Sequence, residues 1–190
     1  MISFTSLRLL GLTAILLWAS PIYAAQYAQA PGSVLAFATS YDGQIVVGTF
    51  RRFQTQLTFD PNDLDHARLT VSIALDSAVT GNAERDNTLK GKDFFDTGKM
   101  STARYTADHF QALDSNRYTV DGTLELHGVR RPVPLTMTLS QGGQITLRAK
   151  GTIPRLAFGI GTGDWADPKL IPNGVAVSTK VLLNPSQPSH

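Results

Sequence analysis

Apolar and polar residues alternate along most of the chain, which is the pattern of β-strands that bury one face. The alternation is clearest over residues 69–76, 118–127, 133–140, 145–153 and 175–183. Further strands are predicted over residues 33–41, 44–59 and 103–112. Together these segments predict about eight strands, the second of which is expected to bend near Gly48. Turn signals such as Asp42-Gly43 and His127-Gly128 separate them. The pattern predicts an all-β fold with antiparallel neighbours.

One charged segment breaks the alternation and predicts a short helix near residues 83–92. Asn82 is a favourable N-cap, and two acidic residues lie in the first turn, where they complement the helix dipole. Lys90-Gly91 then supplies a cation and a helix stop. The aromatic pair Phe94-Phe95 follows between two aspartates. A helix that leads into such a pair is expected to close one end of a barrel.

The N-terminal residues 1–24 have the features of a secretory signal peptide. Arg8 precedes an apolar run over residues 9–19, and small residues surround the expected cleavage point after Ala24. The run is shorter than the roughly 18 apolar residues that a membrane-spanning helix needs. We therefore expect export to the periplasm with cleavage near Ala24, one β-barrel domain over residues 25–183, and a disordered polar tail over residues 184–190.

Composition and charge exclude several classes of protein. The chain has 17 basic and 15 acidic residues, and the predicted signal peptide contains only one of the basic ones, so the remainder is nearly neutral. A nucleic-acid-binding surface would need clustered lysine and arginine, whereas the doublets Arg51-Arg52 and Arg130-Arg131 are expected to be solvated turn residues. The absence of cysteine excludes disulfides, a catalytic thiol, a thiolate metal site and a lipid-modified cysteine.

The sequence contains no recognisable catalytic or metal-binding motif. The four histidines lack metal-ligand spacing, and no Gly-x-Ser-x-Gly elbow occurs. The glycines at 159, 161 and 163 lack the dinucleotide-binding spacing and predict a turn at the barrel rim. Asp93 and Asp96 are interpreted as solvated residues beside the aromatic pair, and Glu84, Arg85 and Asp86 as partners in local salt bridges. We therefore expect no enzyme activity, no metal and no cofactor.

Eight amphipathic antiparallel strands can close as a two-sheet sandwich or as an up-and-down barrel, and alternation alone does not choose between them. An outer-membrane barrel, whose apolar faces point outward, is a third arrangement. Such chains normally end in a strand, whereas this one ends in a polar tail that contains proline. With its apolar faces inward, a barrel of about eight strands either fills its interior with side chains or holds one ligand.

Several short motifs follow one another along nearly the whole chain after residue 24. They are Gly48-Thr49-Phe50-Arg51-Arg52-Phe53 with Leu57-Thr58-Phe59-Asp60, Ala83 with Arg85-Asp86, Leu89 and Asp93-Phe94-Phe95-Asp96, Ala103-Arg104-Tyr105, residues 122–133 with their closing Pro132-Val133 pair, and Phe158-Gly159-Ile160-Gly161. In this order they resemble the YceI-like family of secreted, lipocalin-like isoprenoid-binding proteins. The turn over residues 161–165 is similar to the branch of that family related to cytochrome b561 partners.

The resemblance implies an extended antiparallel barrel with lipocalin-like topology and no metal. It also implies a long apolar cavity that holds an isoprenoid chain such as a quinone tail, or another amphiphile. The expected function is that of a non-enzymatic periplasmic carrier. Two others stay open: an accessory protein that docks on a membrane cytochrome b561-type electron-transfer partner, and an enzyme that acts on a lipid inside the barrel. A transient membrane contact and a dimer stay open too.

Thirteen large apolar residues are the candidates for lining this cavity or closing its end. They are Phe37, Phe53, Leu57, Phe59, Leu75, Phe94, Phe95, Tyr105, Phe110, Leu124, Met137, Phe158 and Trp165. A buried phenylalanine is more often plain core than a ligand contact. For Phe94 and Phe95 the hypothesis is a partly exposed gate that packs against Leu89 at the end of the barrel.

Overall fold

The structure, a computed structural model, describes residues 24–140 and 142–186. The predicted signal peptide lies outside the described residues except for Ala24, and so do residues 187–190 of the predicted tail. The described chain forms β1 (Ala25–Gln29), β2 (Val34–Tyr41), β3 (Gln44–Phe50), β4 (Phe53–Phe59), β5 (Arg68–Ala74), β6 (Ala78–Val79), α1 (Ala83–Lys90), β7 (Thr102–Ala112), β8 (Arg117–Leu126), β9 (Val129–Ser140), β10 (Ile145–Pro154) and β11 (Gly174–Pro185). Short 3₁₀ turns cover Leu64–His66, Leu75–Ser77, Arg155–Phe158 and Gly163–Trp165.

The sheet closes into an antiparallel barrel of eight strands, which confirms the predicted fold class. Around the barrel the order is β1, β4, β5, β7, β8, β9, β10 and β11, and β1 pairs with β11 to complete the ring. The earlier residues of β11 pair with β2. β2 in turn pairs with β3, and β3 pairs with β6. Consequently β1 and β2, β3 and β4, and β5 and β6 are the halves of three long strands that each break once.

The second long strand breaks at Arg51-Arg52 and not near Gly48, where the sequence placed the bend. The N–H groups of Arg51 and Arg52 donate to the carbonyl and hydroxyl oxygens of Ser77, each at 3.1 Å, and so leave the ladder. Both arginines are exposed, as expected. Gly48 instead gives space to an aromatic ring, because a Cβ atom there would lie 2.2 Å from the Phe37 side chain.

The predicted helix is confirmed as α1, and its capping follows the sequence signals. Asn82 Oδ1 accepts a hydrogen bond of 2.9 Å from the N–H of Arg85, and Gly91 follows the last helical residue. The salt bridges expected among its first-turn charges are absent from the ion pairs of the described residues. Asp86 Oδ1 instead accepts from the N–H and the hydroxyl of Thr80, at 2.7 and 2.6 Å. Arg85 Nε donates to the same hydroxyl oxygen at 2.9 Å.

The last strand is longer than the sequence pattern predicted. β11 continues to Pro185, which lies opposite Tyr27 of β1. The N–H of Ser186 then donates to the carbonyl oxygen of Gln26 at 2.8 Å. Residues 184–185 therefore belong to the barrel and not to the predicted disordered tail. Proline lacks only the N–H donor, so it ends a strand without breaking the pairing before it.

One end of the barrel, which we call the closed end, is packed with aromatic and large aliphatic side chains. The Phe59 ring lies edge-on to Tyr118 and Phe110, with centroids 5.0 and 6.1 Å away. Leu57 and Met137 belong to the same buried core. The β7–β8 and β9–β10 turns lie at this end, so the side chains of the adjoining strands converge there.

Candidate functional site

A cavity of about 470 Å³ occupies the barrel between the closed end and α1. Its wall is built from β2, β5, β7, β8, β9, β10 and β11, with further residues from β3, β4 and α1. Most wall residues are aliphatic and include Leu69, Val71, Leu147, Val177 and Val181. They share this wall because every second residue of a strand points into the barrel. The interior is therefore a ligand-sized apolar space and not a solid core.

The thirteen candidates divide between the cavity wall and the surrounding core. Seven line the cavity, namely Phe37, Leu75, Phe94, Phe95, Tyr105, Leu124 and Trp165. The other six are buried but do not line it, namely Phe53, Leu57, Phe59, Phe110, Met137 and Phe158. Four of these six belong to the closed end, below the cavity floor. Phe53 follows a strand break and Phe158 lies in a 3₁₀ turn, where alternation no longer indicates direction. These six pack in the core rather than in the wall, and the part that the thirteen candidates take in ligand binding stays a prediction.

Two sets of aromatic side chains close the opposite end, which we call the plug end. In the first set, Phe94 lies edge-on to Trp165 with centroids 5.6 Å apart, and Trp165 packs on Tyr41 at 6.0 Å. Phe94 is buried, whereas Tyr41 at the tip of the β2–β3 hairpin is 42% exposed. This set therefore connects the cavity wall with the solvent.

The second aromatic set contains a wall residue that the sequence candidates omit. Phe95 packs on Phe50 with centroids 6.0 Å apart, and Phe50 packs on Phe37 at 5.3 Å. Phe50 lines the cavity, as does Val46, which lies four residues earlier on the same face of β3. That alternation, through Gly48, is the sequence signal for Phe50. The bend expected near Gly48 obscured it, because a bend would change the face on which Phe50 lies.

The plug end is made by two segments that hydrogen-bond to each other. The plug segment (residues 82–101) contains α1 and the aromatic pair, and the capping loop (residues 155–173) follows β10. The carbonyl oxygen of Asp93 accepts from the N–H groups of Gly161 and Thr162 at 2.6 and 3.1 Å. Asp93 therefore joins the two segments through its backbone, and a change in one of them is expected to disturb the other.

Arg155 holds the capping loop from inside the protein. The residue is 2% exposed, and it takes part in no ion pair among the described residues. Its guanidinium donates, over 2.7 to 3.2 Å, to the backbone carbonyl oxygens of Ile160, Gly161, Trp165, Ile171 and Pro172. These bonds use all five N–H donors of the side chain. Burial lowers the pKa of Arg155 from its usual value, although arginine stays charged at neutral pH. Sequence reasoning missed this residue, since an arginine after a strand is normally exposed.

Tyr105 lies in the cavity wall with its hydroxyl bonded inside the protein. Tyr105 Oη donates to the carbonyl oxygen of Val133 at 3.0 Å and lies 3.3 Å from that of Val120. Gly122 allows the ring to approach β8, because a Cβ atom there would lie 2.3 Å from the ring. Burial, with a smaller effect of the charge on Asp121, raises the pKa of Tyr105 well above its usual value. The phenol therefore stays protonated and offers no nucleophilic anion to a ligand.

Groups suited to metal binding or catalysis are dispersed over the part of the chain that the structure describes. No three histidine, cysteine, aspartate or glutamate side chains among these residues are placed to hold a metal ion. The described histidines lie away from the wall, with His66 beside Asp63 and His109 beside Gln111. The charged wall residues are Glu84, Arg85, Lys150 and Arg155. Across residues 24–140 and 142–186, no helix has the length and apolarity needed to cross a membrane.

Sequence comparison places related proteins in several bacteria. Residues 28–184 match the family model described as the YceI-like domain. A UPF0312 protein of Photorhabdus laumondii is 37% identical over 142 residues, which cover 72% of this chain and 73% of that protein. A UPF0312 protein of Yersinia enterocolitica is 33% identical over 141 residues, which cover 71% and 73%.

Solved structures with the same fold support this relationship. BcnA of Burkholderia cenocepacia matches with a TM-score of 0.76 at 25% identity, over 80% of this chain and 96% of that chain. A polyisoprenoid binding domain from Saccharophagus degradans matches with a TM-score of 0.67 at 18% identity, over 86% and 100%. At the latter identity the likeness concerns the fold alone. Because the family model matches residues 28–184, which are most of this chain, the chain belongs to the YceI-like domain family.

Proposed function

We propose that this protein binds an isoprenoid lipid, or a similar amphiphile, inside its barrel and carries it without chemical change. The observation that carries the proposal is the apolar cavity of about 470 Å³ between the closed end and the plug end. Its volume lies within the range of small-molecule sites. The fold shared with a protein described as a polyisoprenoid binding domain favours the same class of ligand.

Burial of apolar carbons supplies enough free energy for such binding. Each buried methylene contributes about 0.8 kcal/mol, whereas association costs about 4–15 kcal/mol, so a few isoprene units offset that cost. The balance differs for a lipid taken from a membrane, because its chain is already out of water there. The net free energy of extraction is then close to zero. Such a balance suits a carrier, which has to release its lipid as well as bind it.

The chemistry of the wall favours binding over catalysis. Tyr105 stays protonated, and Arg155 already uses its five donors within the protein. The described wall residues include no histidine, and they offer no nucleophile paired with a base. Organic extraction followed by mass spectrometry should recover the lipid unchanged, whereas an enzyme would yield a product. The relatives and solved structures described above point neither to a membrane cytochrome partner nor to a dimer.

Filling the cavity is expected to weaken ligand binding without unfolding the barrel. Val71 lines the wall, between Thr55 on β4 and Tyr105 on β7. We expect Val71→Trp to occupy the space of the ligand and to weaken farnesol binding at least about tenfold, or about 1.4 kcal/mol, because the ligand then has less apolar volume to enter. The affinity for farnesol is measured by displacement of the fluorescent probe N-phenyl-1-naphthylamine. Ser72→Trp, on the other face of the strand, is the control. Equal affinities of V71W and the wild type would contradict the proposal.

We propose that the protein acts after export to the periplasm. Arg8, the apolar run after it and the small residues around Ala24 support this location. N-terminal sequencing of protein from a periplasmic fraction is expected to find a chain that begins at Ala25 or within a residue or two of it. Recovery of the chain from the membrane with Met1 intact would rule out this route.

A further inference from the structure

Thr55 places an unpartnered hydroxyl group in the cavity wall. The residue is 2% exposed, and its Oγ1 atom is buried without a hydrogen-bond partner among the described residues. Buried polar atoms in proteins are nearly always paired, because an unpaired one destabilises the fold. The lack of a partner for the Thr55 hydroxyl is explained if a ligand in the cavity supplies the missing hydrogen bond.

Thr55 lies in the deep part of the cavity, its floor, where the wall on β4 meets the closed end. Two residues further along β4, Leu57 belongs to the closed end and no longer lines the wall. Continuing the β1–β4 register beyond Ala28 and Gln56 places Gln29 beside Thr55. The Gln29 Oε1 atom is likewise buried without a partner among the described residues. Gln29 does not line the cavity, so of these two atoms only the Thr55 hydroxyl faces the space of the ligand.

The surroundings of Thr55 admit a neutral group and exclude a charged one. The neighbouring wall residues on the next strand are Leu69 and Val71, which are apolar. The charged wall residues belong to α1, to the capping loop and to β10. A phosphate or carboxylate at the floor would therefore lose its water without gaining a cation. A hydroxyl or carbonyl oxygen needs only a hydrogen bond, which a threonine hydroxyl can supply.

We propose that Thr55 binds an uncharged oxygen group, a hydroxyl or a carbonyl, at the end of the lipid that reaches the cavity floor. This inference rests on the proposed function and adds the chemistry and the direction of the ligand. The polar end enters first and hydrogen-bonds to Thr55. The apolar chain then extends along the wall toward Phe94 and Phe95 at the plug end.

Thr55→Val tests this inference because valine keeps the shape of the side chain and removes the hydroxyl. T55V is expected to weaken binding of the isoprenoid alcohol farnesol about fivefold to tenfold. Its affinity for the matching hydrocarbon, farnesane, should stay unchanged, and displacement of N-phenyl-1-naphthylamine measures both. Thr70→Val, the same substitution on the outer face of β5, should change neither. Ligand-free T55V should also melt roughly 2–4 °C higher, because an unpaired buried hydroxyl has been removed.

The outcomes separate this inference from the proposed function. If both compounds bind the wild type and T55V changes their affinities alike, or changes neither, the hydroxyl does not contact the ligand and the inference is overturned. A lower melting temperature of T55V would show that the hydroxyl has a partner within the protein, with the same consequence. If neither compound binds the wild type, the proposed function fails and the inference fails with it.

Discussion

Replacement of Arg155 by methionine is expected to lower the free energy of unfolding by about 3–5 kcal/mol. Five backbone carbonyl oxygens of the capping loop lose their donor at once. Each bond from a charged donor contributes about 1.5–3 kcal/mol, and the cost of burying the cation offsets part of the total. For a domain of this size, the loss corresponds to a melting temperature lower by roughly 10 °C. Methionine retains the apolar stem, so the loss reports mainly on the hydrogen bonds.

Arg131→Met is the matched control for Arg155→Met. Arg131 lies exposed on β9, in the strand rather than in the predicted turn, and its Nε donates one bond of 2.8 Å to the carbonyl oxygen of Ala157. Its loss should cost less than about 1 kcal/mol. Arg155→Lys, with three donors in place of five, should be intermediate. Thermal unfolding of the purified variants measures these differences, and equal melting temperatures for R155M and R131M would refute the role given to Arg155.

Simultaneous replacement of Phe94 and Phe95 by alanine is expected to lower both stability and lipid retention. Each residue is 8% exposed, so they are more buried than the partly exposed gate that the sequence suggested. Truncation of one buried phenylalanine costs about 3–5 kcal/mol, and neighbouring truncations add up incompletely. We expect a loss of at least about 4 kcal/mol. The truncation also removes the contacts with Trp165 and Phe50, which opens the plug end.

Phe110→Ala separates packing from gating. Phe110 is 5% exposed at the closed end and does not line the cavity. The Phe110→Ala variant should lose about 3–5 kcal/mol in its free energy of unfolding and should keep its bound lipid. Thermal unfolding and the amount of lipid extracted per protein compare the two variants, at a temperature where both are folded. If the plug variant retains as much lipid as F110A, then Phe94 and Phe95 are ordinary core and the gate hypothesis is wrong.

Local interactions explain which features of this protein could be predicted from its sequence. Alternation reports the two faces of a strand, and it predicted the amphipathic antiparallel strands because each strand needs only its own pattern to define an apolar face. The choice of a barrel over a sandwich came from the resemblance to the YceI-like family. The signals around Asn82 and Gly91 act within one helical turn, and they predicted α1 for the same reason. Motifs spread in order along the chain were sufficient to predict the family.

Contacts between distant residues decided the rest. The break at Arg51-Arg52 depends on Ser77, which lies about 25 residues further along the chain. Arg155 is buried because carbonyl oxygens of the capping loop converge on it, and neither their positions nor their number follows from its neighbours in sequence. The unpaired hydroxyl of Thr55 likewise appears only when the opposing strands are in place.

The sequence by itself determined an all-β chain with one short helix and an apolar interior, because these properties follow from the order of residues within single elements. Only the tertiary structure decided which apolar residues face a cavity and which fill the core. Leu57 and Val71 have the same character in the alternating pattern, yet Leu57 belongs to the closed end and Val71 to the wall. The physical reason is that the empty volume of a barrel depends on how the side chains of all its strands fit together, which no single strand specifies.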